Sequence, residues 1–121
     1  PDAVSSASMY AEHDRVAPPP ASAPEPVREG FRLFQDNCAF CHGADGSGRN
    51  WIGDFMEPKA QDLAAEGIVQ GRSEAELTAV LRNGVPGTSM PAWRHVLEAE
   101  QIDALVRYLR ARFDPDNSSA D

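Results

Sequence analysis

Three stretches of this chain carry apolar residues at helical spacing. Val27, Gly30, Phe31 and Phe34 fall at i, i+3, i+4 and i+7, which predicts an N-terminal helix from about Val27. Leu77, Val80 and Leu81 form the apolar face of a second helix, with Ser73-Glu74-Ala75-Glu76 as its capping box and Gly84 as its stop. Ile102, Leu105, Val106, Leu109 and Phe113 predict a last helix over about Glu98 to Phe113, whose later turns hold Arg107, Arg110 and Arg112 against the helix dipole. Residues 54–71, with Pro58, Gly67, Gly71 and only short apolar runs, predict loops and at most a short helix.

The two ends read differently. Residues 1–26 mix Ala, Ser and Pro and finish in Pro18-Pro19-Pro20-Ala21-Ser22-Ala23-Pro24-Glu25-Pro26, a composition that favours extended conformations and cannot build a core. They are expected to be a linker or tail; if ordered, they must lie on their own domain or on a partner subunit, with Met9, Tyr10 and Val16 as anchors. Residues 27–113 make the folded unit, and residues 114–121 a polar, acidic and mobile C-terminal tail. Of a formal charge of -8, residues 1–26 carry -3 and residues 114–121 another -3, so the folded unit is close to balance. No basic stripe exists to neutralise phosphates, which argues against nucleic acid as a partner. No apolar run approaches the length needed to cross a bilayer, and no leader opens the chain as given.

The chemistry concentrates in Cys38-Ala39-Phe40-Cys41-His42. Cysteines at i and i+3 of a helical turn project to one side, where two thiols can meet the two vinyl groups along one porphyrin edge, with the next histidine beside the iron. The run reads as a c-type haem attachment: sulfurs as thioether anchors and His42 as proximal ligand. A redox dithiol would want a βαβ setting and a zinc site further ligands at matched spacing; no strand pattern flanks the motif, these are the only two cysteines, and His13 and His95 are distant. The glycines at 43, 46 and 48 lack the Lys and strand-to-helix context of a phosphate loop, and read as a turn ending the haem helix. Arg49 and Trp51 then offer a guanidinium and an indole N–H suited to a haem propionate. A covalently held macrocycle would supply much of the contact area that a folded part of about 90 residues otherwise lacks.

With the C-x-x-C-H run, Gly43-Ala44-Asp45-Gly46-Ser47-Gly48 and the distal Gly87-Thr88-Ser89-Met90-Pro91-Ala92-Trp93, the stretch from about Pro26 to Phe113 resembles the small bacterial monohaem class I c-type cytochromes. It resembles in particular the domain related to the haem-bearing subunit of cbb3 oxidases. The resemblance implies an all-α class I cytochrome c fold, three main helices and loops around one covalently attached haem c, and extracytoplasmic, periplasmic haem attachment, so that a signal or anchor has been removed. It implies N- and C-terminal helices that cross closely, with Gly30 as the small residue and Phe34 and Tyr108 as aromatics at the crossing. It places Glu98 where a Ser or Asp cap is usual, suggesting a frayed start. On the proximal side it implies a backbone carbonyl for the His42 Nδ1 proton, with Pro58 the nearest candidate, and Leu63 and Ile68 as apolar pocket or core residues. On the distal side it implies Met90, 48 residues after His42, as the sixth ligand, with Pro91 stiffening its loop and Trp93 closing the pocket. The rival ligands are Met56, His95 and Met9.

The function these readings imply is one-electron transfer without substrate chemistry, between a redox donor and acceptor such as a dehydrogenase, an oxidase or another cytochrome. The alternative is a dedicated electron-accepting subunit of a periplasmic dehydrogenase or oxidase complex, held by a tight partner that contacts the N-terminal tail. A third reading, a gas-binding or peroxidase-like haem protein, requires an open distal site.

Overall fold

The computed structural model describes residues 10–117; Met9 and the tail residues from 118 onward lie outside them. Helix α1 (Glu25–Leu33) begins with Pro26 in its first turn, where a fixed φ and a missing N–H cost nothing. It runs into a π-helical turn, Phe34–Cys38, and then α2 (Ala39–His42), so one helical run carries the chain from the first apolar stripe to the histidine. The short α3 (Trp51–Phe55), α4 (Glu74–Asn83) and α5 (Ala99–Phe113) follow, with single 3-10 turns at Ala11–His13, Trp93–His95 and Pro115–Asn117. No strand occurs among the described residues, as the all-α reading expects.

The core lies where α1 crosses α5. Phe34, Ile102, Leu105, Val106 and Tyr108 are buried there, each such large apolar side chain contributing about 1.5–3 kcal/mol on removal from water. The helices approach at Gly30, where a Cβ would sit 2.2 Å from the Ala104 carbonyl oxygen and 2.5 Å from Tyr108 Cβ. The Tyr108 ring packs edge-on to Phe31 at 5.8 Å and against Phe34 at 5.6 Å. Helix α4 has the expected capping box: Glu76 N donates to Ser73 Oγ, and Ser73 N to Glu76 Oε1, both at 3.1 Å.

Three expectations change. The start of α5 is not frayed, because Gln101 Oε1 accepts the Glu98 amide at 2.8 Å and holds the first turn from the inside. Asp114 does not open a free tail: it is 2% exposed and its carboxylate accepts the Gly71 amide at 3.0 Å, fastening the end of α5 to the loop before α4. Arg110, also buried, reaches Glu74 at the start of α4, at 3.6 Å. The segment Tyr10–Asp14 lies on its own domain through polar contacts that an apolar count does not register. His13 Nδ1 is 2.8 Å from Asp45 Oδ2, and the Asp45 amide donates to His13 O at 3.2 Å.

Asp45 therefore joins the N-terminal segment to the glycine turn. Burial by itself raises its carboxyl, but the Ser47 hydroxyl and amide, 2.6 and 3.0 Å from Oδ1, together with His13, outweigh that and hold it below the usual carboxylate range. A depressed folded pKa means stability that is present above the unfolded carboxylate pKa and is lost as pH falls through the folded one. Asp45→Asn should thus lower the unfolding free energy at pH 7 by on the order of 1 kcal/mol. The gap to wild type should close on acidification; urea titrations giving a pH-independent gap would remove the carboxylate from this role.

Candidate functional site

Below the α1–α5 crossing lies an apolar cavity of about 230 Å³, and Cys38, Cys41 and His42 all reach it. Their common direction has a local cause. The Ala39 amide bonds Phe34 O, an i to i+5 closure, so the widened turn ends at Cys38 and α2 then sets Cys41 three residues further round on the same side. Burial, and then the neighbouring Cys41, push the Cys38 thiol up to about 12; burial also raises Cys41. A redox dithiol depends on a depressed thiolate pKa, the opposite shift. Among the described residues no group of three or more His, Cys, Asp or Glu side chains could hold a metal ion. Both rival readings of the pentapeptide lose their footing.

The His42 ring is oriented from outside the cavity. Its Nδ1 lies 3.0 Å from the Gln61 carbonyl oxygen, so Nδ1–H donates and Nε2 keeps its lone pair. Burial lowers the ring's pKa and the Gln61 bond only partly offsets this, which keeps the imidazole neutral and able to ligate. The acceptor corrects the expectation for Pro58. Pro58 lines the cavity, but the loop is held by Leu63 N to Gly46 O at 2.7 Å, and it is residue 61 that this register brings to the ring. Behind α2, Asn50 Oδ1 caps α3 through the Ile52 and Gly53 amides while its Nδ2 donates to Ala39 O and Phe40 O. Gly53 permits that seating, since a Cβ would stand 2.2 Å from Cys41 O.

Opposite stands Met90, half-buried on the cavity wall. Its loop is braced: Val85 N donates to Met90 O at 3.2 Å, Met90 N to Thr88 Oγ1 at 3.1 Å, and Thr88 Oγ1 to Val85 O at 2.7 Å. Gly84, at φ 71°, makes the turn that lets this loop fold back on the end of α4. Leu63, Pro91, Trp93 and Ile68 line the cavity as well, and so does Met56, which keeps it geometrically in contention. His95 is exposed and off the cavity wall, and Met9 lies outside the described residues.

Arg49 and Trp51 are not at this wall. The indole is 63% exposed and meets Phe55 edge to face at 5.9 Å, while Arg49 lies 3.7 Å from Asp54 beside a separate polar cleft. Asn50 causes this: by capping α3 it turns that helix's aromatic face outward. The propionate role expected of the pair is not supported by its position.

The residues that do converge fit a haem. The cavity is apolar, two thiols stand at one side, a neutral imidazole has one free nitrogen, and a thioether lies on the facing loop. The buried Nε1 of Trp93, a cavity residue, has no acceptor in the protein, as is natural for a wall completed by a ligand. Sequence reading missed Gln61, Asn50 and Gly53. Only Asn50 carried a signal, as a preferred N-cap residue ahead of Trp51-Ile52.

Comparison with known proteins follows the same stretch. The family model for cytochrome c oxidase, cbb3-type, subunit III, matches residues 25–109. The cbb3-type oxidase subunit CcoP of Azospirillum brasilense is 33% identical over 83 residues, 69% of this chain and 27% of that protein. The FixP subunit of Sinorhizobium medicae is 38% identical over 72 residues, 60% of this chain and 22% of that one. Cytochrome c6 of Nostoc is 31% identical over 97 residues, 80% of this chain and 79% of its own length. The chain thus spans about a quarter of the cbb3-type subunits it matches, and most of the small cytochrome.

Proposed function

We infer the function from one premise: the chain belongs to the cytochrome c family whose model is the cbb3-type cytochrome c oxidase subunit III. It is an electron-transfer protein of the haem c class. In our reading it holds one haem c through thioethers from Cys38 and Cys41, ligates the iron with His42 and Met90, and passes single electrons between redox proteins outside the cytoplasm. When bound, the haem supplies an iron that alternates between ferrous and ferric states.

The chain's own residues do the rest. His42 presents Nε2 because Nδ1 is committed to Gln61 O, a bond that fixes ring orientation and raises ligand basicity. Met90 offers a neutral, polarisable sulfur from a braced loop, a ligand that favours the ferrous state. Leu63, Ile68, Pro91 and Trp93 keep the pocket apolar and limit water. The single observation that carries this reading is the convergence of Cys38, Cys41, His42 and Met90 on one apolar cavity. A donor or acceptor then needs only a transient contact, and such interfaces are small and wet.

Covalent attachment makes a direct prediction. Native protein should keep its haem through acidic acetone extraction, and the denatured protein should show no free thiol. Release of the haem, or two titratable thiols, would end the thioether reading.

The likeness to CcoP and FixP, which are oxidase subunits, supports a second reading: a dedicated subunit that hands electrons within one complex. No helix among the described residues is long and apolar enough to cross a membrane. Purification from native membranes and periplasm separates the two readings. A free carrier elutes alone, and a subunit coelutes with its oxidase or dehydrogenase at fixed ratio.

A further inference from the structure

The N-terminal segment meets the rest of the chain on the turn that directly follows His42, and the contact is built from ionisable groups. His13, with its side chain only 20% exposed, has Nδ1 at 2.8 Å from Asp45 Oδ2 and 3.1 Å from Ser47 Oγ, while Ser47 Oγ donates to Asp45 Oδ1 at 2.6 Å. The hydroxyl proton is thus spent on Asp45, so the Nδ1–H is shared between the Asp45 carboxylate and the Ser47 oxygen. The other ring nitrogen, Nε2, is 3.4 Å from Glu12 Oε1. These are the charged groups that face the ring: Glu12 from its own segment and Asp45 from the turn, both acidic. Backbone completes the clasp, with Asp45 N donating to His13 O at 3.2 Å.

The turn so held supports the ligand histidine at both ends. Gly48 N donates to His42 O at 2.6 Å, and Leu63 N to Gly46 O at 2.7 Å, the latter placing the strand of chain that carries the Gln61 carbonyl. A displacement of residues 43–48 is therefore felt both at the His42 backbone and at the acceptor of its ring proton.

We propose that His13 is a positioning residue for the haem: its ring and backbone clasp the N-terminal segment onto the 43–48 turn that braces His42. The proposal rests on His42 ligating a haem and goes beyond it by assigning a positioning role to the segment before the family-matched stretch. Removing the imidazole leaves the half-buried Asp45 carboxylate without one of its donors and frees the turn from the segment that covers it.

The test uses the full-length haem-loaded protein, wild type, His13→Ala and His13→Asn, at one pH. Two quantities are read: the hydrogen-exchange protection factor of the Asp45 amide, and the midpoint potential. His13→Ala should lower the protection about tenfold, about 1.4 kcal/mol, and displace the midpoint potential from that of wild type, while its absorption spectrum still reports intact His/Met ligation. His13→Asn, which keeps a side-chain N–H donor, should restore part of the protection. Equal protection in wild type and His13→Ala would overturn the clasp. A protection change without a change in potential would leave a tether and overturn the positioning role. Loss of His/Met ligation from wild type itself would instead count against the proposed haem ligands, a different failure.

Discussion

Oxidised Met90→Ala protein should lack the weak near-infrared sulfur-to-iron charge-transfer band. Reduced, it should bind carbon monoxide readily, and its potential should fall by on the order of 0.1 V, a modest part of the roughly 0.8 V over which axial ligands set haem potentials. The size of these effects follows from what the side chain does. A methyl group leaves an open sixth position, and the soft donor that stabilises ferrous iron is gone. The comparison that gives the experiment its force is Met56→Leu, because Met56 also lines the cavity. A swap of similar volume costs under about 1.5 kcal/mol where a methionine merely packs, and should leave band, ligand binding and potential in place. The geometry separates the two. Met90 sits in a loop tied by four hydrogen bonds among Val85, Thr88 and Met90, whereas Met56 directly follows the five-residue α3. If Met90→Ala keeps the band and Met56→Leu loses it, the sixth ligand comes from the first loop and the braced methionine loop is only a wall.

The second large effect is expected at a residue with no chemistry. Gly30→Ala should lower stability by about 2–4 kcal/mol in urea titrations, even though alanine is the better helix former by about 1 kcal/mol. The added Cβ meets the Ala104 carbonyl oxygen at 2.2 Å and Tyr108 Cβ at 2.5 Å, neither of which can swing aside. The helices must separate, and the packing of Tyr108 on Phe31 and Phe34 is lost with their approach. Asp103→Ala, on the outer face of α5 in an exposed pair with Arg107, provides the contrast and should stay within about 0.5 kcal/mol of wild type. Equal stability of Gly30→Ala and wild type would mean that the crossing is looser than drawn, and would weaken every argument that hangs the cavity beneath it.

These two positions also mark how far a sequence reaches. The helical stripes of the first and last helices were legible in the sequence, whereas their crossing at Gly30, with Phe34 and Tyr108, was an expectation from the family resemblance that the close approach of the two backbones bears out. Cys38, Cys41 and His42 were legible because they lie within about one helical turn of each other and their geometry is settled locally. Met90 was singled out by the family resemblance, in a loop punctuated by Gly84 and Pro91.

What the tertiary structure alone decided has a common physical origin: groups that every residue carries, or pairs far apart in the chain. The acceptor for His42 is a backbone carbonyl, identical at Pro58 and Gln61, so no side chain could announce which one the loop would present. Arg49 and Trp51 have the right donors for a propionate, but the seating of a five-residue helix on Asn50 places them off the cavity wall, and so short a helix has no periodicity to reveal its inner face. His13 finds Asp45 across 32 positions, and Asp114 finds Gly71 across 43. Apolar patterning predicts burial because it is a property of single residues in local order, whereas a polar contact is a property of two residues and the path between them. The sequence thus determined the haem-binding chemistry and the helices that frame it, while the fold decided which backbone groups and which distant carboxylates hold that chemistry in place.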